Sequence, residues 1–174
     1  VVRADQARYI RQGFDAMNNS AVFGLIIVIC VLYFAMGFRN SVITSLSIPL
    51  SLLVTFIFLN VFGLSNNNMV RFALVLCIGL LVDNAIIVVE NIYHHFQLGK
   101  DRATAIIEGA AEISMPVISA TLTTMAAFLP MLLMTGVTGE YMGFLPKTVS
   151  IALLASLIVA LIANPLILAR FMKQ

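Results

Sequence analysis

The sequence has few charged residues, and it lacks the patterns typical of enzymes and nucleic-acid-binding proteins. Charged side chains make up 10% of the 174 residues, and the net charge is +2. A soluble domain of this length needs more polar surface, and so small a charge does not indicate nucleic acid as a partner. The chain has no nucleophile–base pattern, no glycine-rich phosphate loop and no zinc-ligand spacing. We therefore expect neither an enzyme nor a cofactor.

Cysteine is also scarce, and no targeting segment is visible. The two cysteines, Cys30 and Cys77, both lie inside apolar runs. This placement is typical of packed thiols rather than of a disulfide framework or a metal site. The opening residues, VVRADQARYIRQ, contain neither the apolar core of a signal peptide nor an initiator methionine. We expect the chain to be an excerpt of a longer polypeptide.

Hydrophobic residues, in contrast, are abundant: they make up 61% of the chain, and the mean hydropathy is +1.03. A membrane-spanning helix needs about 20 mostly apolar residues, because its backbone polar groups must be satisfied within the segment. Strands of a membrane barrel would be shorter and would alternate in polarity. The sequence therefore predicts an all-α membrane protein, a bundle of five transmembrane helices. The predicted spans are residues 21–38, 42–62, 72–93, 113–134 and 149–171.

The segments outside the spans have distinct predicted roles. Residues 1–19 look like an amphipathic approach from a preceding periplasmic domain to the first span, and residues 101–112 are typical of a short amphipathic helix, expected on the cytoplasmic side. Basic residues divide evenly between the two sides of the bundle. If residues 1–19 belong to a large translocated domain, the remaining basic residues favour a cytoplasmic C-terminus. Four prolines fall within or near the spans, where they either shape the bundle or act as hinges: Pro49, Pro116, Pro130 and Pro165.

The third span carries an acidic residue, Asp83, near its middle. A charge at the bilayer centre costs about 2.5–3.5 kcal/mol on insertion scales. No Lys or Arg lies in the interior of the five spans to offset it, and Arg170 stands at the very end of the last one. Asp83 is therefore either protonated or paired with a cation outside this chain, and either state suits a proton carrier. The alternative is a neutral Asp that is hydrogen-bonded only for packing.

Other polar residues of the third span follow Asp83 at helical spacing. Glu90 lies seven residues later, about 10.5 Å along the same face. It is predicted to relay protons toward the cytoplasm or to be an interfacial carboxylate that reaches water. Asn84 and Asn91 repeat the seven-residue spacing one position on. We expect them to form hydrogen bonds between helices rather than to carry protons.

The fourth span presents hydroxyl groups near one face, at Ser114, Thr121 and Thr124. This face is predicted either to stand opposite Asp83 and supply hydrogen bonds or a water wire, or to serve ordinary close packing of helices. His94 and His95 follow the third span. Adjacent histidines in a polar connection are more often solvated surface than a metal site, so we expect no metal here.

Three segments together carry a resemblance to a known family. GLLVDNAIIVVENIY (residues 79–93) resembles the central motif of the resistance–nodulation–division (RND) multidrug efflux permeases, G-x-x-V-D-[DN]-[AS]-I-V-V-x-E-N, on their fourth transmembrane helix. SATLTTMAAFLPMLLMTGVTGEY (residues 119–141) resembles the fifth helix and the loop after it, and FRNSVITSLSIPLSLLVTF (residues 38–56) resembles the junction of the second and third helices. The resemblance covers nearly the whole chain, residues 21–173.

The resemblance implies that the five spans are helices two to six, in the first half of an RND transmembrane domain. A periplasmic porter domain would precede the chain, and a second membrane half would follow it. Members are usually inner-membrane homotrimers that use the proton gradient to export drugs or other amphiphiles, many of them with a periplasmic adaptor and an outer-membrane channel. This chain would then be a proton antiporter fragment whose partners are the lipid bilayer and the rest of the permease.

The resemblance also assigns roles to residues. Asp83 matches the first of the family's two usual adjacent aspartates, and Glu90 matches the glutamate that follows them. The second aspartate position holds Asn84, which cannot carry a proton, so the proton stoichiometry departs from the usual pattern. Three alternatives stay open: an RND-superfamily relative that moves lipids or assists protein export, a metal-exporting branch, and a membrane scaffold that transports nothing.

Overall fold

The computed structural model describes the backbone of residues 2–64 and 67–171, with side chains from residue 16 onward except 17, 35, 39, 65, 66 and 171. This part of the chain is helical and contains no β-strand. The helices are α1 (Val2–Val61), α2 (Asn68–Gln97), α3 (Arg102–Phe128), α4 (Gly136–Met142), α5 (Phe144–Ile158) and α6 (Asn164–Phe171). A 3₁₀ turn, Leu129–Leu133, follows α3, and a π turn, Val159–Ala163, joins α5 to α6.

α1 consists of two arms that meet at Gly37. This glycine has φ 74° and ψ 170°, outside the helical region, so the helix breaks there. The first arm, before Gly37, contains the apolar stretch Asn18–Phe34, and the longer stretch Met36–Val61 begins one residue before Gly37 and runs along the second arm. Glycine tolerates this conformation because it has no Cβ. The predicted spans 21–38 and 42–62 lie on these two arms. The predicted approach segment, residues 1–19, is helical from Val2, and its side chains up to residue 15 lie outside the described residues.

α3 runs without a break through the predicted amphipathic helix 101–112 and into the predicted span 113–134. Asp101 begins it as the N-cap, where its carboxylate accepts hydrogen bonds from the backbone N–H groups of Ala103 (3.2 Å) and Thr104 (3.4 Å). The hydrogen bonds from Thr104, together with that from Ala103, hold the pKa of Asp101 below its usual range. Pro116 lies inside the helix without ending it.

Four of the helical stretches within the described residues are long and apolar enough to cross a membrane: Met36–Val61, Asn68–Gln97, Arg102–Leu133 and Gly136–Arg170. Asn18–Phe34 is a fifth, shorter apolar helix. The predicted fold class, an all-α membrane bundle, is confirmed. α2 is its central element, because α1, α3 and α5 all pack against it. The core of the bundle is correspondingly rich in α2 residues such as Cys77, Leu81, Val88 and Ile92.

Candidate functional site

The face of α2 that this chain leaves uncovered carries the predicted acidic residues. Leu81, Val82 and Asn84 are buried against neighbouring helices, whereas Asp83 and Glu90 are exposed. A helix with neighbours on three sides keeps one stripe open at helical spacing. Asp83 lies near the middle of that stripe, about halfway along Asn68–Gln97. The ion pairs identified among the described residues, at His95, Lys100, Glu108 and Glu112, do not involve it.

Asp83 lines a groove of about 310 Å³ between α2, α3 and α5. Thr124 and Thr121 on α3 line the same groove, as does Asn84. Two of the three hydroxyl residues selected from the fourth span, Thr121 and Thr124, thus lie along the groove that Asp83 lines. Thr124 donates its hydroxyl proton to the carbonyl of Ala120 (3.0 Å), which leaves its oxygen lone pairs available to accept hydrogen bonds. The remaining lining residues are Leu80, Ile86, Ile87, Ala120 and Leu153.

Asn84 joins three helices through its side-chain amide. Its Oδ1 accepts a hydrogen bond from Thr121 Oγ1 on α3 (3.2 Å), and its Nδ2 donates to Ser156 Oγ on α5 (3.4 Å). Ser156 in turn donates to the carbonyl of Leu81 on α2 (2.8 Å). Both ends of the buried amide are therefore used, as a buried polar group requires. Asn84 is only 6% exposed.

Ser114 and Asn91 lie outside the groove that Asp83 lines. Ser114 is nearer the start of α3 and donates to the carbonyl of Ala111 in its own helix (2.8 Å). Asn91 Nδ2 donates to the carbonyl of Gly109 (2.8 Å), across the contact between α2 and α3. The helices approach closely there, because a Cβ added to Gly109 would lie 2.8 Å from Ile92 Cα.

Glu90 lies in a separate groove of about 290 Å³ between α1 and α2. This groove has a polar lining that includes Asn40, Tyr93 and His94. Glu90 and Asp83 thus share the open stripe of α2 but not a groove, and the exposed side chain of Ile87 lies between them along the helix. A proton moving from one carboxylate to the other would need water on this face.

The structure brings together polar residues that the sequence analysis did not select. Ser156 completes the contacts of Asn84. Farther along the same long helix, Asn164 accepts a hydrogen bond from Ser47 on α1, and Asn164 is fully buried. In the sequence, these residues stand out only as a hydroxyl or an amide within an apolar run. That pattern does not show which neighbouring helix the polar group contacts.

A bundle of apolar helices with a mid-helix carboxylate, and with an amide and hydroxyls linking the helices beside it, is the arrangement of a membrane transporter rather than of an enzyme. Comparison of the sequence with known protein families identifies the family. The model of the AcrB/AcrD/AcrF family matches residues 1–174, and the chain belongs to this family. The resemblance to RND efflux permeases is therefore confirmed.

Individual relatives agree with this assignment. The chain is 34% identical over 173 residues to a multidrug resistance protein MdtC of Pectobacterium atrosepticum, covering 99% of this chain and 17% of the relative. It is 40% identical over 150 residues to an uncharacterized transporter of Haemophilus influenzae, covering 86% of this chain and 14% of the relative. A crystal structure of a heavy metal efflux pump aligns with a TM-score of 0.76 at 27% identity, covering 92% of this chain and 16% of the pump. The chain thus spans less than one-fifth of the length of these relatives.

Proposed function

We propose that this chain is the proton-translocating part of an RND-type export permease, in which Asp83 takes up and releases the transported proton. The observation that carries the proposal is the position of Asp83. It lies midway along an apolar helix, on the stripe that this chain leaves open, in a groove that Thr121 and Thr124 also line. A carboxylate that faces a groove at this depth can change its protonation state more readily than one sealed in the core.

The proton load is one per Asp83, because the neighbouring position holds an amide. The side-chain amide of Asn84 does not gain or lose a proton at physiological pH, and its oxygen and nitrogen are hydrogen-bonded to Thr121 and Ser156, respectively. The amide therefore holds α2, α3 and α5 together beside the titrating carboxylate. Protonation of Asp83 would change its hydrogen bonding with the groove and shift α2 relative to its neighbours. This shift would drive export elsewhere in the permease.

The whole permease contains more than this chain. A preceding periplasmic porter domain would be reached through residues 1–19, and a second membrane half would cover the open stripe of α2. The assembly would be a homotrimer in the bacterial inner membrane, with a periplasmic adaptor and an outer-membrane channel as partners. Drugs or other amphiphiles are the proposed substrates, since a multidrug resistance protein is among the similar proteins.

Metal export is the second candidate function. It is supported by the alignment with a heavy metal efflux pump at a TM-score of 0.76. The two functions share the proton step at Asp83 and differ in the substrate path, which lies outside this chain. Efflux assays of the full-length protein with a dye substrate and with a soft metal ion distinguish them.

The proton step is tested by Asp83→Asn in the full-length permease. We expect proton-linked efflux to fall to the level of cells without the permease, because an amide of the same shape cannot carry the proton. Ser114→Ala is the matched control, since its hydroxyl bonds within its own helix. Expression and membrane insertion, measured by immunoblot of washed membranes, should be equal in both variants. Undiminished efflux by Asp83→Asn contradicts the proposed role.

Glu90→Gln separates the two interpretations of Glu90. A relay role predicts that this variant slows efflux, because the amide cannot pass the proton between Asp83 and water. An interfacial carboxylate predicts wild-type efflux. The measurement is the rate of dye efflux from energised cells between pH 6 and pH 8, with Asp83→Asn measured alongside.

A further inference from the structure

A second cluster of titratable residues lies where α2 ends and α3 begins, away from the Asp83 groove. His95, in the last turn of α2, is 8% exposed. Its Nε2 lies 2.6 Å from Glu112 Oε2 on α3, and its Nδ1 lies 2.9 Å from Lys100 Nζ in the connection. A buried imidazole thus joins two helices and the four residues that connect them.

The chemistry of Lys100 determines the state of the ring. A lysine ammonium is a donor with no lone pair, so His95 Nδ1 must accept the hydrogen bond from Lys100. The single ring proton is therefore on Nε2, which donates it to the Glu112 carboxylate. In this arrangement the imidazole is neutral.

The groups around the ring carry a net negative charge when the imidazole is neutral. Glu108 Oε2 lies 2.5 Å from Lys100 Nζ and 3.9 Å from His95 Nδ1. Two carboxylates against one ammonium leave a charge of −1 around a neutral imidazole, and an imidazolium would bring the total to zero. Glu108 and Glu112 are both exposed, at 51% and 64%, so that protons from water can reach the cluster.

We propose that His95 is a protonation switch for the connection between α2 and α3, in which the imidazolium releases Lys100 and pairs with Glu108 instead. A proton on Nδ1 would set two positively charged donors 2.9 Å apart, so the contact with Lys100 cannot persist. Glu108 already lies within reach of Nδ1 and takes the freed position. The bond from Nε2 to Glu112 becomes charge-assisted and strengthens. The switch does not depend on proton transport through Asp83.

The movement is confined to the connection by the contacts on either side. Asn91 donates to the carbonyl of Gly109 (2.8 Å), about one turn before His95, and it keeps α2 and α3 together in both states. The remaining charged or titratable groups near this end do not bond to the ring. His94 meets His95 edge-on, with ring centroids 6.4 Å apart, and Arg170 of α6 is exposed. The side chain of Arg39 on α1 lies outside the described residues.

The switch is tested by ¹⁵N-histidine NMR of the full-length permease in lipid nanodiscs from pH 5 to pH 8, with His95→Gln used to assign its signal. We expect the Nε2–H tautomer at pH 8 and the imidazolium at pH 5. Lys100→Met should raise the midpoint of this titration by about one pH unit, and Glu108→Gln should lower it by a similar amount. His94→Gln is the matched control and should leave the midpoint unchanged.

A second readout keeps the proposal falsifiable if a variant folds poorly. Hydrogen exchange of the backbone at residues 98–101, corrected for the intrinsic pH dependence, should accelerate on acidification in the wild type and not in Lys100→Met. This difference is expected because protonation removes the contact of Lys100 with His95 and leaves Lys100 only its ion pair with Glu108, which the imidazolium then shares. The proposal is overturned if the ring keeps one state from pH 5 to pH 8, or if both charge variants titrate like the wild type.

Discussion

At the scale of single residues, Asn84 shows how a polar side chain is accommodated inside an apolar bundle. The sequence places an amide where the family usually has a second aspartate. The structure explains how the amide is held, since Oδ1 accepts from Thr121 and Nδ2 donates to Ser156. A carboxylate at this position would have no proton to donate to Ser156 unless it were protonated. Asn84 is thus suited to a structural role that does not titrate.

The role of Asn84 predicts a measurable coupling. Asn84→Ala should lower the free energy of unfolding by about 1 kcal/mol, because the hydrogen bonds of Asn84 to Thr121 and Ser156 are lost, whereas Thr121 Oγ1 keeps the carbonyl of Val117 as an acceptor (2.8 Å). A double-mutant cycle with Thr121→Val should give a coupling energy of about 0.5–1.5 kcal/mol. The measurement is reversible unfolding in mixed detergent micelles. Strictly additive effects of the two substitutions would show that their hydrogen bond contributes nothing.

At the scale of elements, the break in α1 comes from a glycine rather than from a proline. Pro49 lies inside the second arm without interrupting it, whereas Gly37 adopts φ 74° and ψ 170°. That combination is almost exclusive to glycine, because any Cβ would clash with the backbone. The turn lets the two apolar arms of α1 pack against each other and against α2, where Leu32 and Ile48 meet Val82.

Gly37→Ala should therefore lower the free energy of unfolding of the bundle by about 1–3 kcal/mol. An alanine either adopts the strained backbone conformation at this break or lets α1 straighten, which separates its two arms. Gly24→Ala is the matched control: it lies in the helical part of the first arm, where an added Cβ meets nothing within 4 Å. Unfolding of both variants in detergent micelles gives the comparison. Equal stability of the two alanine variants would mean that the turn at Gly37 does not need glycine.

At the scale of the whole molecule, the lengths of the helices determine how the connections are distributed. α2 has 30 residues, which corresponds to about 45 Å and exceeds a hydrocarbon core of about 30 Å. The two ends of α2 are thus predicted to lie on opposite sides of the membrane. Successive connections between helices then lie on alternate sides of the membrane. This alternation agrees with the cytoplasmic C-terminus that the basic residues favour if residues 1–19 belong to a translocated domain.

This topology can be checked with single cysteines at Phe62 and Leu98, which are exposed just outside the ends of α1 and α2. In a Cys30→Ser/Cys77→Ala background, an impermeant maleimide added to one side of sealed vesicles should label only one of the two positions. Permeabilised vesicles, as the control, should label both. Labelling of both positions from one side would exclude a membrane-spanning α2.

The class of fold, the family and the acidic residue at mid-helix can all be recognised from the amino-acid sequence. Hydrophobicity along the chain is a local property, so the long apolar runs and the position of Asp83 within one of them can be identified without neighbours. The motif around Asp83 was likewise sufficient to identify the family. The predicted face of three hydroxyls was less informative, since Thr121 and Thr124 line the groove whereas Ser114 does not.

The contacts between side chains, in contrast, follow from the packing of the helices. Ser156 contacts Asn84, Glu90 lies in a different groove from Asp83, and His95 is buried between Glu112 and Lys100 rather than solvated. These contacts depend on how each helix is rotated about its axis and which neighbours it packs against. Apolar runs that are hydrophobic on all sides carry almost no information about that rotation, because every face can be buried equally well in lipid or in protein.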